Sequence, residues 1–228
     1  MRRNIFVGLV IGFILVLLSN ICLAISLFPV ADLSDWGEFQ AKENNPVSIT
    51  RTEGTVQLVA DGEADYAWGS IYKIYPGSIG IIAQVNVSRA SGNVAMGIRK
   101  YIATTESGSR LSAEMQVVRW NDSYKIEYYL KEKDSSGNII RQLGAGTYGE
   151  WASGEANEWS LGQDVFLGLA LVGNEVWFYS PGYGILAKVQ ILSPFTPSDD
   201  YIQVNAYAQY GTGNHIEGSV KDISIVYP

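Results

Sequence analysis

After residue 31 the apolar positions of this chain recur at every second residue rather than every third or fourth. In 200–210, Ile202, Val204, Ala206, Ala208 and Tyr210 fall on one face of an extended strand, and Tyr201, Gln203, Asn205, Tyr207 and Gln209 on the other. The same period gives inward sets Ile79, Ile81, Ala83, Val85 and Val87; Val94, Met96, Ile98 and Ile102; and Leu111, Ala113, Met115 and Val117. Strands are predicted near 47–52, 55–60, 66–75, 79–88, 93–102, 110–120, 123–131, 138–143, 164–172, 175–180, 185–192, 200–210 and 219–227. Between them lie Gly, Asn, Ser, Asp and Pro clusters. Gly173-Asn174 has the form of a two-residue type II′ hairpin turn, with Gly first. Segment 144–163, rich in Gly, Ala and Ser, reads as a long loop. With no composition break and no internal repeat, the pattern predicts one all-β sandwich domain over 33–228.

The N-terminus differs. Arg2-Arg3, an apolar run from Ile5 to Leu18, and small residues before a cut after Ala24 describe a secretory signal peptide over 1–24, followed by a short linker at 25–32. Two alternatives stay open: an uncleaved membrane anchor, because apolar residues resume at 25–31, and lipidation of Cys22, although Ile21 is bulky for that signal. Either way the chain is expected to be exported, secreted or at the cell surface. The only cysteine lies in this leader, so 204 of the 228 residues must be stabilised by packing without a disulfide. Loss of Arg2 and Arg3 takes the 16 Lys and Arg to 14 against 23 acidic residues, a net charge of −9. That charge disfavours nucleic acid and anionic membrane as partners. Membrane contact is left to the N-terminal segment alone. Asn86-Val-Ser88 and Asn121-Asp-Ser123 match the glycosylation triplet, a pattern common by chance.

Trp159-Ser-Leu-Gly-Gln-Asp-Val-Phe-Leu-Gly-Leu-Ala-Leu followed by Gly173-Asn-Glu-Val-Trp-Phe-Tyr179 resembles the strand, Gly-Asn turn, strand signature of the concanavalin A-like lectin and glucanase superfamily. The hairpin at 115–129 and the closing strand at 220–227 fit the same pattern. The resemblance spans roughly 33–228 and implies a two-sheet antiparallel jelly roll with one sheet concave on its outer side. Lectins, glycosidases, adhesion modules and structural proteins share that architecture, so it implies no single activity.

The outward half of 200–210 carries rings and amides and no charge, which suits a neutral glycan through ring stacking and planar hydrogen bonding. If 79–88, 93–102 and 110–118 share a sheet with it, Gln84, Asn86, Arg99, Tyr101, Glu114 and Gln116 join Tyr201, Gln203, Asn205, Tyr207 and Gln209 in one groove. Trp151 is a further ring candidate. The plain alternative is a half-polar sheet face meeting water. A glycoside hydrolase would need two carboxyl groups, and Glu114 with Glu217 loosely resembles one glucanase arrangement. The Glu-x-Asp-x-Glu strand of other glucanases is missing, its nearest run being Glu63-Ala-Asp65-Tyr-Ala67. A third reading is a surface structural or adhesion protein with no glycan ligand. His215, the sole histidine, reads as a loop residue. No His/Cys metal site can be built. An oxygen-ligated calcium ion would have Asp199-Asp200, or Asp61, Glu63 and Asp65. Lys131-Glu-Lys-Asp134 reads as an exposed hairpin end. The leading expectation is a non-catalytic carbohydrate-binding sandwich of open oligomeric state.

Overall fold

Period-two alternation leaves each strand with one apolar face, and two sheets bury those faces against each other. The computed structural model describes residues 25–40, 47–63, 66–120, 123–148, 160–181, 183–198 and 201–228. Its strands are β1 (Ser26–Pro29), β2 (Gly37–Gln40), β3 (Val47–Thr52), β4 (Thr55–Asp61), β5 (Ala67–Lys73), β6 (Gly80–Ser91), β7 (Val94–Thr105) and β8 (Arg110–Trp120). They continue with β9 (Ser123–Lys133), β10 (Ile139–Tyr148), β11 (Asp164–Val172), β12 (Glu175–Ser180), β13 (Gly184–Gln190), β14 (Phe195–Pro197), β15 (Ile202–Ala208) and β16 (His215–Tyr227). Among the described residues there is no helix.

The first sheet runs β13-β12-β11-β6-β16-β4-β3, with β1 also pairing with β16. The second runs β10-β9-β8-β7-β15-β5-β2, with β14 pairing with β7. The described strand pairs are antiparallel. Leu58, Ile81 and Phe178 of the first sheet meet Ile71, Ile98 and Met115 of the second in one core. Leu33 and Trp36, on the passage from β1 to β2, belong to the same core. Gly173 takes φ +62° while Asn174 does not adopt a positive φ, the combination that a II′ turn between β11 and β12 needs.

The inward half of β15 is as expected, since Ile202, Val204, Ala206 and Ala208 are all buried. Tyr210 is not part of it. The strand stops at Ala208 and Tyr210 is 66% exposed in the following bend. The inward row of β7 also includes Lys100, fully buried, whose Nζ donates to the Ser198 carbonyl at 3.4 Å. Residues 26–29, expected as linker, are a strand, because their backbone completes a ladder with 224–227. Strand β10 extends to Tyr148 and so occupies the start of the expected loop; 149–159 lies outside the described residues. Strand 79–88 does not share a sheet with 200–210, since β6 lies between β11 and β16 in the first sheet. Its parity is nevertheless right. Ile82 faces outward into a satellite apolar cluster with Trp177, Tyr179 and Val226.

Deletion of core volume should separate the real inward row from the assumed one. Phe178→Ala is expected to cost about 3–5 kcal/mol in denaturant unfolding. Tyr210→Ser should change stability by no more than about 0.5 kcal/mol.

Candidate functional site on the outward face of the second sheet

Ladder register places residues of successive strands side by side. One line across the outward face of the second sheet reads Phe39, Ser70, Asn205, Gly97, Gln116 and Glu127. The next line, one pleat repeat of about 7 Å away, reads Tyr72, Gln203, Arg99, Glu114 and Tyr129. On the other side lie Trp68, Tyr207, Ala95, Val118 and Lys125. Gly97 contributes no side chain, so the middle line is lowest between Asn205 and Gln116. A Cβ at Gly97 would come within 2.2 Å of the Met115 carbonyl oxygen, which ties the glycine to this close strand approach.

Amides line that low point. Asn205, 4% exposed, and Gln116 have no side-chain hydrogen-bond partner among the described residues, and Gln203 accepts one bond from Arg99 Nη1 at 3.3 Å. The Ser70 hydroxyl, beside Asn205 across the ladder, is buried and likewise without a partner. Rings stand around them. Tyr201 meets Tyr72 edge-on at 4.9 Å, Phe39 meets Trp68 at 5.1 Å, and Trp120 meets Tyr207 at 6.2 Å. Gly37 allows the Tyr72 ring to lie against the β2 backbone, since a Cβ there would be 2.6 Å from the ring. The result is a floor of amides with unused donors and acceptors inside a rim of partly exposed aromatic rings.

A charged cluster adjoins the floor. Glu114, only 5% exposed, takes Arg99 Nε at 3.0 Å and Lys133 Nζ at 3.1 Å on Oε1, and Lys131 Nζ at 3.1 Å on Oε2. Ser112 Oγ also donates to Oε1 at 3.2 Å. The Arg99 Nε contact is an ion pair without hydrogen-bond alignment, as that N–H has no acceptor in line. The Arg99 guanidinium lies 5.1 Å from the Trp68 ring centre, and Lys131 Nζ lies 4.1 Å from that of Tyr129. Burial alone would raise the Glu114 pKa, but the combined attraction of Arg99, Lys133 and Lys131 outweighs it and holds the carboxyl far below the usual range. Burial, with repulsion from Arg99 and Lys131, lowers the Lys133 ammonium, while Glu114 opposes that shift. Burial and the bond that Tyr129 donates to Glu127 push the Tyr129 phenol well above its ordinary value.

Of the residues expected to bind ligand, the structure brings Gln203, Asn205, Tyr207, Arg99, Tyr101 and Gln116 to this one face by register, and Tyr201, just before β15, by its ring contact with Tyr72. Gln84 and Asn86 are not there. They face outward from the first sheet, where the Asn86 amide donates to Asp164 Oδ1 at 2.7 Å and to the Gly162 carbonyl at 2.9 Å. Gln209 lies past the end of β15 and accepts a bond from Asn93 Nδ2 at 2.8 Å. Trp151 lies outside the described residues, as do Asp65, Asp199 and Asp200. Asp61 meets His215 Nδ1 at 3.3 Å, with His215 opening β16 rather than sitting in a loop. Among the described residues no group of three His, Cys, Asp or Glu is arranged to hold a metal.

Two expectations are overturned. Glu114 and Glu217 cannot form a catalytic pair, because Glu114 faces outward from the second sheet and Glu217 outward from the first. Two packed sheets about 10 Å apart separate them, beyond both hydrolytic spacings. Lys131-Glu-Lys-Asp134 is not an exposed hairpin end. Lys131 and Lys133 belong to the ion cluster, and Glu132 is buried against Arg141 and Ser109. The charge-free row therefore describes β15 alone, since β7, β8 and β9 set Arg99, Glu114, Lys125, Glu127, Lys131 and Lys133 beside it. Sequence reading does not assign Tyr72, Glu127, Tyr129, Lys131 or Lys133 to a ligand site. The signal was present: Glu127, Tyr129, Lys131 and Lys133 hold one parity, opposite to that of Ile126, Tyr128 and Leu130.

No protein-family model matches the chain, and no curated protein matches it in sequence. Solved structures do match in fold. A Bacillus licheniformis β-glucanase superposes with a TM-score of 0.56 at 13% identity, covering 91% of this chain and 100% of that one. A Bacteroides ovatus mixed linkage glucan GH16 protein in complex with its product gives 0.58 at 12%, covering 88% and 99%. A prokaryotic β-1,3-1,4-glucanase (lichenase) derived from a mouse hindgut metagenome gives 0.54 at 9%, covering 90% and 100%. The architecture is thus the concanavalin A-like jelly roll.

Removing the central carboxylate leaves three cations facing one another. Glu114→Gln is expected to lose about 3–5 kcal/mol at pH 7 in denaturant unfolding. A carboxyl depressed by folding stabilises fully above its unfolded pKa of about 4.3, and that contribution is lost as pH falls toward the folded value. The gap between wild type and Glu114→Gln should therefore narrow steadily below about pH 5. A gap independent of pH would contradict this reading of Glu114.

Proposed function

We propose that this chain is an exported, non-catalytic carbohydrate-binding sandwich, and that a polysaccharide lies on the outward face of its second sheet. One observation carries the reading: Asn205, Gln116 and Gln203 keep unused amide groups on a floor bordered by Trp68, Tyr72, Tyr201, Tyr207 and Trp120. Rings present flat apolar faces to the C–H side of a pyranose, and amides both donate to and accept from its hydroxyls. Tyr201 and Tyr207 stack on the sugar, with Tyr101 closer to the charged end. Export follows from the leader-like pattern at 1–24.

Binding without hydrolysis is supported by the state of Glu114. A glycosidase needs one carboxyl group that donates a proton near neutral pH and a second at a matched distance. Glu114 is held ionised by three cations. Its strand continues outward with Gln116 and Val118 in place of further carboxylates. Glu127, the other carboxylate of this face among the described residues, accepts the Tyr129 hydroxyl and lies 3.5 Å from Lys125 Nζ.

The double substitution Tyr207→Ala with Asn205→Ala is expected to abolish retention on a glycan array that holds the wild-type chain, and product analysis on every retained glycan should find no cleavage. Thermal stability should fall by only a few degrees, since both side chains point away from the core. Undiminished retention by the double variant would remove this face from consideration. Newly released oligosaccharide ends would replace binding with hydrolysis, and an array with no retained glycan would leave the face as a protein adhesion surface.

A further inference from the structure

The cluster around Glu114 is not electrically balanced. Among the described residues Arg99, Lys131 and Lys133 share a single carboxylate, and none of the three has another acidic partner. Glu127 is committed to Tyr129 and Lys125, and Glu132 to Arg141 and Ser109. Among the described residues two positive charges therefore stand uncompensated, in a place where side-chain exposure is only 14% for Arg99, 16% for Lys131 and 8% for Lys133. Partly buried charges are ordinarily matched by an opposite charge. Burial first, and then repulsion from Arg99 and Lys131, lowers the Lys133 ammonium.

Position gives the surplus a meaning. Arg99 and Glu114 form the line next to the amide floor, and Lys131 occupies the line after that, opposite Ser112. A sugar chain on the floor would direct substituents from one edge into this cluster. We infer that the glycan bound here is acidic, and that an anionic substituent, the carboxylate of a uronic acid or a sulfate ester, completes the Arg99, Lys131 and Lys133 site. The inference rests on the glycan-binding reading of this face and replaces the neutral ligand expected from β15 alone. Lys131, the most exposed of the three, makes the direct contact. Arg99 stays anchored by Glu114 and Gln203 and supplies field rather than a free fork.

Affinity electrophoresis of the full chain tests this through matched polymers: polygalacturonate against its fully methyl-esterified form, and dextran sulfate against dextran. Polygalacturonate should be retained at least about tenfold more tightly than the ester, with retention falling between about 0.02 M and about 0.5 M salt. Lys131→Met should reduce that retention about tenfold, and Lys131→Arg should restore it. Because Lys131→Met relieves repulsion and leaves Glu114 two cations, its Tm should stay within about 3 °C of wild type. Retention of dextran sulfate alone would support the site and assign sulfate as its anion. Equal retention of acid and ester, or an unaffected Lys131→Met, would overturn the acidic specificity. If Tyr207→Ala still abolished binding in that case, the glycan-binding reading would stand by itself. Failure to retain any of the four polymers, or a neutral glucan run beside them, would overturn both.

Discussion

Each strand of this sandwich must commit alternate side chains to one shared apolar layer, and the remaining half then falls on an outer face without further choice. That constraint fixes which residues are available for chemistry. On β15 it commits Ile202, Val204, Ala206 and Ala208 inward and leaves Gln203, Asn205 and Tyr207 outward. On β9 it places Ile126 and Leu130 in the core and aligns Glu127, Tyr129, Lys131 and Lys133 on the other side. Antiparallel pairing then turns these separate alternations into lines across as many as six strands. The candidate site is a product of register, since its residues are scattered from Phe39 to Tyr207 in the chain.

Much of this was legible in the sequence because alternation is a local property. Inward rows of four strands, the II′ turn at Gly173-Asn174 and the antiparallel jelly roll needed only neighbouring residues. Sheet membership is not local. Strand β6 looks like β7 and β8 in composition and precedes them directly, yet it pairs with β11 and β16, which removes Gln84 and Asn86 from the groove. Charged residues mislead for a related reason. Lys131 and Lys133 next to a turn look solvated when read along the chain, and only the register opposite Ser112 and Arg110 brings them to Glu114. Tyr210 failed more simply, because the strand ended two residues before it.

The likeness to glucanases concerns architecture, and the outward side chains of β8 show why architecture leaves chemistry open. Ser112, Glu114, Gln116 and Val118 line up on the outward face of the second sheet, with one carboxylate among them. A carboxylate surrounded by Arg99, Lys131 and Lys133 gains most by staying ionised, which suits a structural anion better than a proton donor. The same surroundings explain why removal of Glu114 is expected to harm the fold: it is the common partner that keeps three cations on one small area.

Net charge sharpens the choice of ligand. A chain of net charge −7 repels a polyanion as a whole. An acidic polysaccharide would therefore be admitted only where positive charge is locally in excess. The described structure provides such a place beside an amide floor with unused hydrogen-bonding groups and a rim of rings. Repulsion elsewhere then acts as orientation, steering an acidic chain toward this face and register while the amides and rings supply short-range fit. A neutral glycan would gain nothing from the two extra cations, whose burial would remain a cost to the unliganded protein. Partly buried positive charge beside a polar groove is explained more economically by a ligand that brings the missing anion.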